Sequence, residues 1–555
     1  GIDPLIISGP ALALLTGGML GLRLVPRISK AAERITSRRP TLAPALGAWQ
    51  VSRRPLKYAG PALLLTMAIA IGIVSMATAA TWRSSQLDQA RHLAGTDLRL
   101  SGPPDGPELG AFGRGTAFTT LPGVTAASPV FRGQTDVSGE SAMLLGIDAA
   151  KLGTLFQLRP DLSGQSVAEM SRTLVGGKAG ALELPGQPAT VTIKATTDAD
   201  LPLRLVLSDG LGVWRDVPLG VLKAGENALD VNLATLAGRV GKITYPVSLR
   251  GLIAGVPPSG SASMTVTGVS ADGQPVTVPP AGMKVTGSRA AAALLGPVTP
   301  GALPVVLTAD LAASLKLGVG QTGRASIDRR VMDVKVVGVV DTMPTTTAGQ
   351  PAVLADWGTM QAQELAAAQL PRPATEWWLA TADGRAATAL KGRPAWDVTA
   401  LDQRELAAKM QDDPLASGLQ GALMLGFLAA LVFAALGFLV NAAVAARERM
   451  SEFAILRALG VSSRQVFGVL AMEQAFVVGL SLAAGTGLAV VVGMLVVPHI
   501  VLTGQAAAVT PEVRLDIPWA ATAAMLVAVA AVLLAIVAGL ARNLRRQGLG
   551  LREEQ

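Results

Sequence analysis

The side chains that serve nucleophilic, acid–base or metal chemistry are nearly missing from this 555-residue chain, which has no cysteine and only two histidines, His92 and His499. That excludes disulfides, thiolate metal sites and cysteine nucleophiles, and leaves a histidine-based triad almost nothing to work with. No G-x-x-x-x-G-K-[S/T] phosphate loop, H-E-x-x-H or G-x-S-x-G occurs, so any ATP hydrolysis belongs to another polypeptide. What remains is charge in unusual places. Glu473 is the one acid well inside an apolar stretch, about 10 Å along a helix from Val466 at ~1.5 Å per residue. An acid at that depth either carries a proton or ion, or supports a neighbouring helix through a hydrogen bond. Arg449, Glu452 and Arg457 sit on a short polar segment between two apolar ones, suited to ion pairs with a partner's groove or to a solvated face. Trp214 and the pair Trp377-Trp378 offer flat surfaces for a ligand, or bulk for a core.

The elements that position these residues are set by hydropathy. The mean hydropathy is +0.45, and a hydrocarbon layer of roughly 30 Å needs about 20 apolar residues in helix. Leu5–Val25, Gly60–Ala80, Gly418–Ala446, Val466–Pro498 and Trp519–Ala541 meet that length. The first lacks a basic flank before it and has a strongly basic one after it, so it reads as a span, not a signal peptide. Residues 81–417 hold 29 Lys+Arg against 30 Asp+Glu, whereas the rest holds 18 against 9. The excess lies in loop 26–59, loop 447–465 and tail 542–555, which makes these cytoplasmic and places 81–417 outside. This is a positive-inside pattern, not a nucleic-acid footprint. An odd number of spans starting outside further predicts an upstream or second permease half.

Loop 26–59 carries Leu42, Leu46 and Trp49 at helical spacing, with Trp49 at headgroup level and Arg53 and Arg54 at lipid phosphates; Pro55 breaks that helix. Thr81–Leu93 is free of Gly and Pro and extends the second span outward as a stalk. Thr399–Met410 predicts a matching helix on the way back, interrupted at Asp412-Asp413-Pro414. In between, residues 181–285 show strands every 10–20 residues between Gly, Asp and Pro, the pattern of a β-sandwich. It is inserted into an α/β domain made of 81–180 and 286–417. Gly479, Ala483 and Gly487, like Gly426, Ala430 and Ala434, recur every four residues and allow helices to approach closely. The fold class is thus a membrane α-helical protein of five transmembrane helices (1–25, 60–80, 418–446, 466–498 and 519–541) with a large extracytoplasmic α/β domain carrying a β-sandwich.

Ser451–Leu459 forms a short helix ended by Gly460, and Ser462 with Gln465 makes a capping box for the next span. The segment EFAILRALGVSSRQVFGVLAMEQ resembles the signature of FtsX/MacB-like (type VII) ABC transporter permeases. GTDLRLSG, LPGVTAASPV, ADLAASLKLGVGQTGRASID and VMDVKVVGVVDTMP are similar to parts of that family's external core domain, and SRRPLKYAGPALLLTMAIAIG to the entry of its first helix. Residues from about 45 to 541 therefore match one unit of helix, external domain and three helices, with Leu5–Val25 as an extra helix of a large ten-helix-type member. The sandwich is outside the minimal family pattern.

The resemblance implies a non-catalytic membrane subunit. Its partner is a cytoplasmic ABC ATPase dimer that binds ATP and Mg, this chain binding no cofactor itself. Docking then falls on Arg449, Glu452, Phe453, Leu456, Arg457, Leu459 and Gly460. It also implies mechanotransmission: ATP-driven motion changes the external domain, which acts on peptides, lipoproteins, lipids or an envelope enzyme. A bacterial cell membrane is the expected location. The rival reading is a membrane-anchored binding or adhesion receptor that uses the sandwich, which leaves the EFAILRALG loop unexplained.

Overall fold

A computed structural model describes residues 55–102, 105–176, 180–279, 281–296, 301–327, 330–412, 414–448, 463–503 and 509–550. The chain divides into two compact units, Leu87–Met410 and the segments on either side, up to Gln86 and from Gln411.

Helix α1 (Pro55–Ala94) runs 40 residues without a break. Pro55 begins it, where proline's missing N–H costs nothing. Gly95, at φ +77°, ends it in the left-handed region that favours glycine. The chain continues through β1 (Leu98–Ser101), α2 (Ala111–Thr119) and the hairpin β2 (Val124–Val137) and β3 (Glu140–Ile147). After two further sheets come β4 (Leu303–Thr308), β5 (Thr322–Ile327), β6 (Arg330–Val340), β7 (Ala352–Asp356), α3 (Trp357–Ala366), β8 (Glu376–Thr381), β9 (Thr399–Asp402) and α4 (Gln403–Gln411). The nine strands form one sheet in the order β5-β6-β4-β7-β3-β2-β8-β1-β9. β2 is 14 residues long and spans two neighbourhoods. It pairs with β3 and β8, and its last residue Val137 also meets Ile327 of β5, closing six of the strands on themselves.

Alternation sorts the side chains. On β3, Met143, Leu145 and Ile147 join one apolar cluster and Ala142 and Leu144 another; on β7, Leu354 and Val353 divide likewise. Both faces of these strands are therefore buried, as the period of two demands of a covered sheet.

Between Leu182 and Leu294 the chain builds two five-stranded antiparallel sheets. One centres on Thr190–Thr197 and Ser261–Ala271, the other on Leu201–Ser208 and Ser248–Ala254. Their inward residues, such as Val191, Ile193, Leu205 and Leu252, share one cluster with Phe112 and Phe118 of α2, Leu98 and Leu100 of β1, and Trp377 and Leu379 of β8. The core between the two sheets thus runs on into α2, β1 and β8. At the seam the backbones touch: a Cβ on Gly113 would overlap Ala237 O, and one on Gly238 (φ +79°) would overlap Gly110 N. Gly110 N donates to Ala237 O at 2.9 Å and Val240 N to Glu108 O at 3.0 Å.

In the other unit α1 is joined by α5 (Pro414–Glu448), α6 (Ser463–Thr503) and α7 (Trp519–Gly550). Four described stretches, Gly60–Ala94, Gln420–Val444, Ala471–Pro498 and Trp519–Gly539, are long and apolar enough to cross a membrane. The expected first span, Leu5–Val25, lies outside the described residues. α1 is the central helix: 61% of its apolar window is buried against 17% for α5. Phe427 of α5 packs over Gly72, where no Cβ would fit. Within residues 509–518, Asp516 N donates to Thr81 Oγ1 at 2.9 Å and Leu515 sits against Gly493.

One sequence expectation fails in part. Helix from Thr399 to Met410 holds only from Gln403, because Thr399–Asp402 is strand β9, paired antiparallel with β1. The interruption at Asp412-Asp413-Pro414 coincides with the end of α4 at Gln411 and the start of α5 at Pro414.

Candidate functional site

The residues that sequence reasoning assigns to ATPase docking, Arg449, Glu452, Phe453, Leu456, Arg457, Leu459 and Gly460, lie outside the described residues, as do Trp49, Arg53 and Arg54. The helices on either side are defined: α5 ends at Glu448 and α6 begins at Ser463. Glu473, ten residues into α6, is fully buried and is not without a partner. Next to it Gln474 is also fully buried, and neither its Oε1 nor its Nε2 has a hydrogen-bond partner.

Gly479, Ala483 and Gly487 are placed on an exposed face of α6, and nothing stands within 4 Å of a Cβ on either glycine. Close packing within the chain runs two residues away. Ser481, Gly485 and Ala489 are the buried set; Ser481 Oγ donates to Ala62 O at 3.4 Å, and a Cβ on Gly485 would come within 2.8 Å of Ile69. A two-residue step turns a helix by about 200°, which puts the two stripes on opposite sides. On α5, Gly426 is exposed, Ala430 partly buried and Ala434 buried.

The arrangement that sequence reasoning missed is where α1 ends, within the unit Leu87–Met410. His92 is buried, with Nε2 2.8 Å from Thr346 O, and its carbonyl accepts from Thr345 N at 2.7 Å. Thr96 Oγ1 donates to Leu379 O at 3.1 Å. Asp97 then gathers three elements. Its Oδ1 accepts from Gln157 Nε2 at 2.5 Å, its Oδ2 from Thr381 N at 2.8 Å, and its carbonyl from Gln403 N, the first residue of α4, at 3.0 Å. Arg159 adds an ion pair from Nη1 to Asp88 at 3.1 Å and from Nε to Asp161 at 2.7 Å. The chain leaving α1 and the start of α4 are thereby bound to each other just before β1, and the chain leaving α1 is bound to β8 through Leu379 and Thr381. The sequence signal was Gly95-Thr96-Asp97, a helix-ending glycine followed by a capping-type pair, but it does not name the partners.

Two titrations belong to this unit. Burial holds the His92 imidazole below its usual range. Burial also pushes the Asp209 carboxyl up to about 7, although Val213 N and Leu211 N donate to its Oδ1 at 2.8 and 3.0 Å. Trp214, Trp377 and Trp378 are all buried, so they serve the core first. Among the described residues no group of three or more His, Cys, Asp or Glu could hold a metal ion. Among the described residues, the contacts of Thr96 and Asp97 tie the end of α1 to β8 and to the start of α4.

Compared with known proteins, residues 424–547 match the family model described as FtsX-like permease C-terminal. That stretch takes in most of α5, the polar segment after it, all of α6 and most of α7. The likeness is of that stretch, under a quarter of the chain, to the C-terminal part of ABC transporter permeases of this family. No curated protein matches the chain.

Proposed function

We propose that this chain is the membrane subunit of an ABC transporter that passes movement from a cytoplasmic ATPase to its large sheet-rich unit. The carrying observation is the family match at 424–547, which encloses the polar segment bearing Phe453 and Leu456. The ATPase dimer binds ATP and Mg; docking falls on Arg449 to Gly460, with Glu473 supporting the base of α6. Movement leaves the membrane through α1, unbroken from Pro55 to Ala94, and through α4. α1 leads into β1, and α4 follows β9, the strand paired with β1, so a change in their separation acts on the nine-stranded sheet. In this reading the sheet-rich unit, with its inserted β-sandwich, faces the outside of a bacterial cell membrane. It works there on a peptide, lipoprotein, lipid or envelope enzyme.

The test is copurification. The full chain, expressed in its host with an affinity tag, is expected to retain an ABC ATPase, and Phe453→Asp with Leu456→Asp is expected to lose it by roughly tenfold or more. An ATPase retained equally by both proteins, or by neither, sinks the coupling assignment and leaves the receptor reading.

A further inference from the structure

We propose that the cavity formed by residues 158–167 binds a small uncharged ligand with a compact aliphatic body and a carbonyl group. Its volume is about 310 Å³, within the range of small-molecule sites. At ~30 Å³ for each water-sized group, that is room for roughly ten heavy atoms.

The walls set the chemistry. Leu158, Pro160 and Val167 supply aliphatic surface. Leu158 and Val167 pack against the cluster that holds Met143, Leu145 and Leu354, yet both remain partly exposed. Among the described residues no charged side chain lines the cavity, so a charged ligand would lose hydration there without a counter-ion. Two donors on the lining are unused. Ser166 Oγ accepts from Glu169 N at 3.2 Å, and its hydroxyl hydrogen has no acceptor among the described residues. Gln165 N donates to Ser163 Oγ at 3.1 Å, but its side-chain amide is unbonded among the described residues. The Oε1 end of that amide is buried against Gly338, which leaves the Nε2 end for a ligand. Spare donors without a charge suit an uncharged carbonyl oxygen.

The lining segment is held at both ends, so the cavity is pre-formed and an occupant has little to order. Gln157 N donates to Gly95 O at 3.0 Å and Arg159 Nη1 to Asp88 at 3.1 Å, which ties the segment to the end of α1. On the other side Asp341 N donates to Leu162 O at 2.8 Å, and Ser163 pairs with Val340 of β6. Ser166 then caps the helix Val167–Leu174. The aliphatic carbonyl compound is a leucine-type residue of a peptide or a free aliphatic amide; the chemistry at the cavity is the same.

Full-length protein in lipid nanodiscs is irradiated with the diazirine analogue of acetyl-leucine amide, digested, and read by mass spectrometry. Label is expected on the peptide that holds residues 158–167. Acetyl-leucine amide or isovaleramide should compete it away, whereas acetyl-glycine amide and free leucine should not. Gly164 lines the cavity and nothing stands within 4 Å of a Cβ there, so Gly164→Phe fills the space without displacing a neighbour. It should lower the label roughly tenfold or more at an unchanged melting temperature. Gly153→Phe, at an equally open glycine off the cavity, should keep the label. Gly164→Leu, with the same expected loss, replaces Gly164→Phe if that variant does not fold. Removing both donors with Gln165→Leu and Ser166→Gly, a residue that helix caps tolerate, should weaken competition several-fold. Stronger competition by acetyl-leucine amide than by isovaleramide assigns a peptide residue, and equal or weaker competition assigns a free amide. The proposal falls if residues 158–167 take no more label than the rest of the chain, or if acetyl-glycine amide or free leucine competes as well as acetyl-leucine amide. It also falls if the folded cavity-filling variant labels like wild type, or if the variant without donors is competed like wild type.

Discussion

Asp97 shows how one side chain does structural work out of proportion to its size. Its carboxylate satisfies donors from two elements and its carbonyl a third. Asp97→Ala leaves Thr381 N and Gln157 Nε2 unmet and should lower the stability of the sheet-rich unit by about 1–3 kcal/mol, read by thermal unfolding of the full chain. Two other residues make stability depend on pH, with opposite signs. Asp209 holds its proton up to about pH 7 when folded but releases it near 3.8 when unfolded. The folded state therefore binds more protons between these values, and stability is full below about 4 and falls as pH rises to 7. The span allows on the order of 4 kcal/mol at most; Asp209→Asn should flatten it. His92 behaves the other way. Its folded pKa lies below the unfolded 6.5, so the unfolded chain takes up the proton first and stability falls as pH drops below about 6.5. Comparing melting curves of wild type, Asp209→Asn and a His92→Gln variant from pH 4 to 8 separates the two slopes.

At the scale of elements, the instructive case is α6. Its four-residue repeat of small residues is real in the sequence, but two such stripes run along it: Gly479, Ala483, Gly487 and Ser481, Gly485, Ala489. Only contact with α1 distinguishes them. Gly485→Val should disrupt the packing of α6 on Ile69 and Thr66, costing about 1–3 kcal/mol as an overpacked contact does. Gly487→Ala, with open space beside it, should be near neutral in the same detergent melt. An unchanged melt for Gly485→Val would show that α1 and α6 do not pack as described. α4 teaches a related lesson. Thr399–Asp402 has helix-compatible residues, yet pairing with β1 recruits it into the sheet, a tertiary override of a weak local preference.

At the scale of the molecule, the two sheets between Leu182 and Leu294 are the feature whose role changes most. Alternation and turn residues mark their strands in the sequence, among them Thr190–Thr197 and Leu201–Ser208. Phe112, Phe118, Trp377 and Leu379 extend the core that the two sheets enclose. A fragment of residues 181–285 expressed alone should therefore melt well below a fragment of residues 87–410. Equal melting temperatures for the two fragments would refute the shared core. Motion delivered to β1 would, on the same grounds, reach both sheets.

The sequence by itself determined what depends on local composition: apolar stretches of membrane length, basic flanks, strands that alternate, and the polar segment whose resemblance the match at 424–547 supports. These signals are written within a few tens of residues, and hydration free energy reads them directly. Only the tertiary structure decided which side of α6 packs, that Asp97 binds Gln157, Thr381 and Gln403, and that Leu158 and Val167 line a cavity. The Asp97 contacts alone join residues from about 60 to more than 300 positions apart in the chain. No single-sequence periodicity records such pairings, because they are selected by the fit of whole surfaces.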